Sequence, residues 1–307
     1  MTSRDVEMVA RTQARVQSRT DTWKINHLGS WIMIRVSLLL ICLIWSVPTL
    51  GLLISSIRPA SEISTTGWWT VLLEPSRLTN LTLENYRQVI FESQMGRSFI
   101  NTVVVTLPQT VLALAVAAFA AYGFEWIPFK GKEWVYVAFI VALLVVPFQV
   151  AFIPLVRLFA FFGLSGSFVS IWLAHAAFGM PLNVYILRSF METLPEEIIQ
   201  AAQVDGASHL QIFWRIALPL STPVLASLAI FQFISVWNDL LIAMVLLGGS
   251  PNVQVMTITL QLMLGTRGQD WHLLTAGAFV TMVVPLIVFF SLQRYFVRGL
   301  TGGAIKG

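Results

Sequence analysis

The chain of 307 residues is 56% hydrophobic and only 11% charged, against about 25% charged in a soluble domain, which excludes an ordinary water-soluble fold. A formal charge of +4 gives no reason to invoke nucleic acid, and the single cysteine, Cys42, leaves neither a disulfide framework nor a thiolate metal cluster. The membrane is the solvent these numbers point to.

Residues 1–30 are polar and basic and read as a flexible arm. Behind Ser30 the apolar stretch is about twice the 7–15 residues of a signal-peptide core and lacks a small-residue cleavage pattern, so it reads as a retained first span. Crossing a hydrocarbon core of about 30 Å takes about 20 apolar residues. Six stretches qualify, roughly 31–57, 98–124, 133–160, 164–190, 219–246 and 272–296, in an all-α integral membrane domain of 31–296. Several contain proline: Pro108, Pro147, Pro154, Pro181 and Pro285. Inside a bilayer these are tolerated when a neighbouring helix or a wet cavity takes up the freed carbonyl, which favours a bundle with a functional interior. Simple packing kinks are the alternative for any one of them.

In the loop of about 58–97, Leu83, Tyr86 and Ile90 have helical spacing and predict an amphipathic helix on the membrane surface. Spans three and four meet at Gly163-Leu164-Ser165-Gly166, short enough for a tight turn. His175 lies inside span four, where an ionisable group calls for a functional hypothesis. A neutral imidazole hydrogen-bonded across a helix interface is the plainer reading.

Residues 192–219 form a polar, doubly punctuated element between apolar spans. Pro195 suits the first turn of a helix, and Glu196 and Glu197 complement its positive N-terminal dipole. Asp205-Gly206 ends that helix, because glycine accepts the left-handed conformation of a C-terminal cap. Ser208 can cap a second short helix carrying Ile212, Phe213 and Ile216, which Pro219 closes.

Span five carries Gln232, Ser235, Trp237, Asn238 and Asp239. Such groups are costly against lipid and are expected to face the interior. Gln232 and Asn238 offer paired donors and acceptors for sugar hydroxyls, Ser235 a hydroxyl, and Trp237 a flat apolar face for a pyranose ring. Helix–helix hydrogen bonding is the alternative. The loop from Gly248 to Trp271 reads as a turn followed by a re-entrant or surface helix. A Gly-rich tail, 297–307, is of a kind usually disordered. Trp68, Trp69, Trp126, Trp134, Trp172, Trp214 and Trp271 mostly fall near span ends, as an interfacial belt does.

Basic residues orient the chain. Thirteen of the nineteen, including Arg4, Arg11, Lys130, Arg188, Arg215 and Arg298, share one side, and six (Arg58, Arg77, Arg87, Arg97, Arg157, Arg267) the other. The positive-inside rule then places both termini in the cytoplasm.

The frame from Pro195 to Pro219 resembles the E-A-A…G…I-x-L-P signature by which permease subunits of bacterial ABC importers dock on their ATPases. The terminal Leu300-Thr301-Gly302-Gly303 resembles the tail of the maltose-type subset, and Asn85-Tyr86 with Asn101-Thr102 resembles sugar-importer permeases more loosely. The resemblance covers nearly the whole chain from about residue 31. It implies a type I ABC importer permease fold with six transmembrane helices in a bacterial cytoplasmic (inner) membrane. It further implies a second homologous permease subunit, two ATP-binding subunits that hold ATP and Mg, and an external or periplasmic sugar-binding protein.

Carried over by position, it implies ATPase docking by Ala201, Ala202, Asp205, Gly206, Ile216, Leu218 and Pro219. Gln200 stands where the family usually has glutamate, and Glu196 and Glu197 can supply the carboxylate instead. It implies binding-protein contact around Ser250, Pro251, Asn252, Val253, Gln254 and Val255, and insertion of Leu300, Thr301, Gly302 and Gly303 between the ATPases.

The sequence has no G-x-x-x-x-G-K-[ST] loop, since Trp126 stands where the first glycine before Gly131-Lys132 would be, and no H-E-x-x-H. It is expected to bind no cofactor or metal and to catalyse no covalent step. The function expected is that of an ATP-driven sugar importer, oligosaccharide or glucoside-like. Permeases for a polyol or glycerol phosphate compete with it, as does an ion-coupled secondary transporter, which needs midplane carboxylates in repeated halves.

Overall fold

The computed structural model describes the backbone of residues 3–145, 147–264 and 270–302, and the side chains of 29–141, 147–264 and 270–293. All the regular secondary structure among the described residues is helical, with no strand. The helices are α1 (Ser3–Ser56), α2 (Met95–Trp126), α3 (Lys132–Val145), α4 (Phe152–Phe161) and α5 (Phe168–Met191). Then follow α6 (Glu196–Val204), α7 (Thr222–Trp237), α8 (Leu241–Leu247), α9 (Met256–Met263) and α10 (Trp271–Gly302).

Four of these helices are long and apolar enough to cross a membrane, and a fifth crossing is counted if the bent pair His209–Leu220 and Thr222–Trp237 is one span. The third expected span, 133–160, is instead two helices. Pro147, which has no N–H to continue a helix, stands between them in a non-helical conformation. Pro154 falls in the first turn of α4, where no intrahelical donor is needed. The fifth expected span is also interrupted, at Asn238–Leu240, between α7 and α8. No break separates the polar residues of the expected arm from the first span, because α1 runs on from Ser3.

Two of the prolines inside intact helices free carbonyls that have specific partners. Pro108 cannot donate to the Val104 carbonyl of α2, and the Trp172 indole of α5 donates to that carbonyl at 3.1 Å. Pro285 frees the Thr281 carbonyl of α10 in the same way, and the Trp237 indole of α7 donates to it at 3.0 Å. Trp172 and Trp237 thus each join two helices.

The most extensive packing is α2 against α5 and α7 against α10. Ala113, Ala117 and Ala121 recur every four residues on the buried face of α2; small side chains there let the α5 backbone approach. α1 packs on α10 and is otherwise exposed along Trp31, Leu38, Ile41 and Trp45, a surface suited to lipid.

The segment after α1 is knotted to it. Asn85 donates to the carbonyls of Ser56 and Arg58 at 2.9 and 2.8 Å, and buried Arg58 donates to the Thr66 carbonyl. The helical turn Glu84–Arg87 buries Asn85 and, one turn on, Val89, while Leu83 and Ile90 are exposed. Leu83 and Ile90 are thus left uncovered by the protein, while Asn85 and Val89 make the contacts to it. Hydrogen-bonding by Asn85 fixes the turn's rotation, which hydrophobic spacing does not register.

Candidate functional site

Two features stand out, one at each end of α7. At its N-terminal end, α6 and the helical run from His209 to Leu220 form a hairpin packed on the C-terminal halves of α2 and α5. Pro195 is the N-cap of α6, with Glu196 and Glu197 in its first turn. Gly206 follows at φ +80°, and its N–H donates to the Gln203 carbonyl at 3.0 Å while Ala207 donates to Ala202. Ser208 and Gln211 form a reciprocal capping box, with Gln211 Oε1 2.8 Å from the Ser208 N–H.

The hairpin is held from below. Ile199, Ile212, Phe213 and Ala217 are buried against Tyr122, Val184, Leu187 and Met191, and Phe213 stacks on Phe119 at 4.4 Å. Its outer face keeps Gln200, Ala201, Gln203, Val204 and Asp205 exposed. Gln200 donates to Glu196 Oε1 at 2.8 Å, so a carboxylate does share the helical face of Gln200. A hollow of about 250 Å³ lies between the two arms, lined in part by Asp205, Gly206, Arg215 and Ile216.

Pro219 does not end the second arm at once. Helix continues through a π turn, Phe213–Ala217, and Leu218–Leu220, then bends by 74° into α7. Pro219 and Pro223, four residues apart, each remove one backbone donor at the bend, and the Thr222 hydroxyl donates to the Pro219 carbonyl in place of the lost bond, at 2.7 Å.

At the other end of α7 a cavity of about 490 Å³ opens between α5 and α7. α5 contributes His175, Gly179 and Asn183, one turn apart each; α7 and the break after it contribute Gln232, Ser235 and Asp239. Asn183 donates to Gln232 Oε1 at 3.1 Å. Gly179 makes this possible: a Cβ there would sit 2.7 Å from Gln232 Oε1. Phe148, Phe178 and Phe231 supply apolar walls, and Phe148 and Phe178 lie 5.3 Å apart. The lining contains no Lys or Arg.

Asp239 occupies the break itself. Its carboxylate accepts from the N–H groups of Ile242 and Ala243 at 3.3 and 2.9 Å, the first turn of α8. Its carbonyl accepts from the Thr257 hydroxyl, and His175 Nε2 lies 3.5 Å from Oδ2. Two candidates from span five are elsewhere. Trp237 is 2% exposed, stacked on Phe233 and edge-on to Phe99, with its N–H engaged as described. Asn238 donates to the Ile234 carbonyl at the end of α7.

In the following loop Ser250, Pro251 and Asn252 are exposed, Val253 half-buried, and Gln254 and Val255 buried. Asn101 of α2 clamps it, donating to the carbonyls of Asn252 and Gln254 at 3.0 and 2.9 Å, and Thr102 accepts from the Met256 N–H. Leu300, Thr301 and Gly302 lie in the backbone of α10; Gly303 lies outside the described residues.

The model of the binding-protein-dependent transport system inner membrane component family matches residues 113–302. The chain belongs to that family. The osmoprotective compounds uptake permease protein GgtD of Synechocystis sp. is 51% identical, over 89% of this chain and 91% of that one. The alpha-glucoside transport system permease protein AglG of Rhizobium meliloti is 40% identical, over 89% and 97%. A crystal structure of a bacterial ABC transporter involved in import of the acidic polysaccharide alginate superposes with a TM-score of 0.70 at 22% identity, over 86% of this chain and 95% of that chain; at that identity it carries the fold alone. The chain is thus a multi-pass inner-membrane component of an ABC importer, with the permease fold.

Within this importer permease, His175 does not stand alone on α5: Gly179 and Asn183 line the cavity with it. Their spacing of four and eight residues from His175 puts all three on one face of α5, a signal present in the sequence. The meeting of that face with Gln232, Ser235 and Asp239 depends on how α5 packs against α7, which no local pattern encodes.

Proposed function

We propose that the chain is one permease subunit of an ATP-driven importer of a neutral sugar or glucoside, non-catalytic itself. In this reading it pairs with a second homologous permease, and two cytoplasmic ATPase subunits bind ATP and Mg and dock on the α6 hairpin. An external binding protein delivers the solute near Ser250, Pro251 and Asn252, and both termini are cytoplasmic. The solute passes the α5–α7 cavity, with Gln232 and Ser235 on its path, and the tail Leu300–Gly303 contacts the ATPases.

The observation that supports the reading is the hairpin: a capped helix pair on a buried base with an exposed top, in a chain whose sequence holds no nucleotide-binding loop. Rigid-body rotation driven at that hairpin is a sufficient mechanism for alternating access. The cavity's amides, hydroxyl and aromatic walls, without a basic side chain, suit an uncharged polyhydroxy solute. An osmoprotective solute such as a polyol is the second reading, favoured by the relative at 51% identity.

The test is co-purification of the chain with its ATPase and second permease, then ATP hydrolysis in nanodiscs with candidate binding proteins. Stimulation by a binding protein loaded with an α-glucoside supports the first reading, and stimulation only by a polyol-loaded one the second. A chain that retains no ATPase partner refutes both.

A further inference from the structure

We propose that this subunit carries its own hydroxyl-recognition subsite in the α5–α7 cavity, with Asp239 as the residue that contacts and selects the solute and His175 as its positioning residue. The proposal rests on the reading of that cavity as the solute path. The class of ligand is a neutral glycoside or polyol presenting free hydroxyls.

A carboxylate set between two apolar helices, α7 and α8, needs a reason. Structural need accounts for part of Asp239: two backbone N–H groups of α8 bond its oxygens. A carboxylate, however, accepts at about four lone-pair positions, and Asp239 is 15% exposed on the cavity wall. Asparagine or serine would offer α8 one acceptor oxygen where Asp239 uses both, yet each carboxylate oxygen still has a lone pair left for a solute hydroxyl. His175 stands 3.5 Å from Oδ2, too far for a good hydrogen bond, and its Nε2 is buried with no bonded partner. The imidazole thus backs the carboxylate from α5 and limits its rotation.

The rest of the cavity completes the chemistry. Asn183 and Gln232 bond to each other through one group apiece, leaving the Gln232 NH₂ and the Asn183 carbonyl for hydroxyls. Ser235 donates or accepts. Phe148 and Phe178 offer the flat apolar walls for the C–H face of a ring, the role that sequence reasoning gave to Trp237. A fixed carboxylate with no neighbouring Lys or Arg rejects anionic solutes by repulsion and prefers hydroxyl donors over ether or deoxy positions, because losing a hydrogen bond to a charged group is costlier than losing a neutral one.

The experiment uses the complete transporter in proteoliposomes, with sucrose and its monodeoxy analogues as probes. Only analogues that the binding protein holds with the same affinity as sucrose, by calorimetry, are compared. Wild type is expected to move sucrose about ten-fold faster than at least one analogue. Asp239→Asn, which keeps one of the two capping oxygens, should reduce that ratio to about two-fold, with preserved ATPase stimulation showing that α8 is intact. His175→Leu should reduce the ratio similarly, and His175→Gln should restore it. Variants that keep the wild-type ratio, or that slow sucrose and analogues alike, overturn the subsite. A wild-type complex that moves no neutral glycoside overturns the proposed function as well.

Discussion

Two indoles in this chain do work that hydropathy cannot anticipate. Trp172 and Trp237 each donate to the carbonyl that a proline on the neighbouring helix has released, Val104 and Thr281 respectively. A buried carbonyl left without a donor costs about 0.6–2 kcal/mol in a membrane protein. Trp237→Phe should therefore lower thermal stability in detergent by about that amount. Adding Pro285→Ala returns an N–H four residues after Thr281 and should recover most of the loss; a double variant no more stable than Trp237→Phe would remove this explanation. Gln200 is the other informative residue. Gln200→Glu exchanges a hydrogen bond to Glu196 for a like-charge pair worth a few tenths of a kcal/mol. ATP-coupled uptake should stay within about two-fold of wild type, and severe loss in a normally assembled complex would show that the amide is required.

At the scale of the element, the α6 hairpin was legible because its signals are local. Pro195, Gly206 and Ser208 each act within one turn of themselves; Gly206 and Ser208 occupy the positions their chemistry predicts, and Pro195 stands one residue before the first turn, at the N-cap. Gly206→Pro should uncouple ATP hydrolysis from uptake: it demands φ near −65° where the chain has +80° and deletes the N–H that bonds Gln203. Hydrolysis should persist while uptake falls on the order of ten-fold or more, measured side by side in vesicles; coupling that survives intact would remove the hairpin from the drive train. The interrupted spans were not legible. A window of about 20 residues averages across Pro147, and it averages across Asn238–Leu240 too, where the flanking α7 and α8 are both apolar. The cavity was half legible: Gln232 and Ser235 were found from their cost in lipid, whereas Asn183 and Gly179 needed the α5 face to be read as a unit.

At the scale of the molecule, the α2–α5 and α7–α10 pairs are each joined by broad packing and by one indole–carbonyl bond. Each pair is expected to move as one body during transport. After replacement of the exposed Cys42, spin labels placed on α2 and α5 should keep their separation when ATP is added, as should labels on α7 and α10, while α5–α7 distances change. Changes within either pair would break this picture.

That rigidity has a mechanical consequence. α5 has 24 residues, hence a length of about 36 Å. The hairpin is seated on Leu187 of α5, and the cavity residue His175 lies about 18 Å along the helix from it, so α5 acts as a lever. A tilt of about ten degrees about that seat moves His175 by about 3 Å, so a stroke at the hairpin is passed on to the cavity wall.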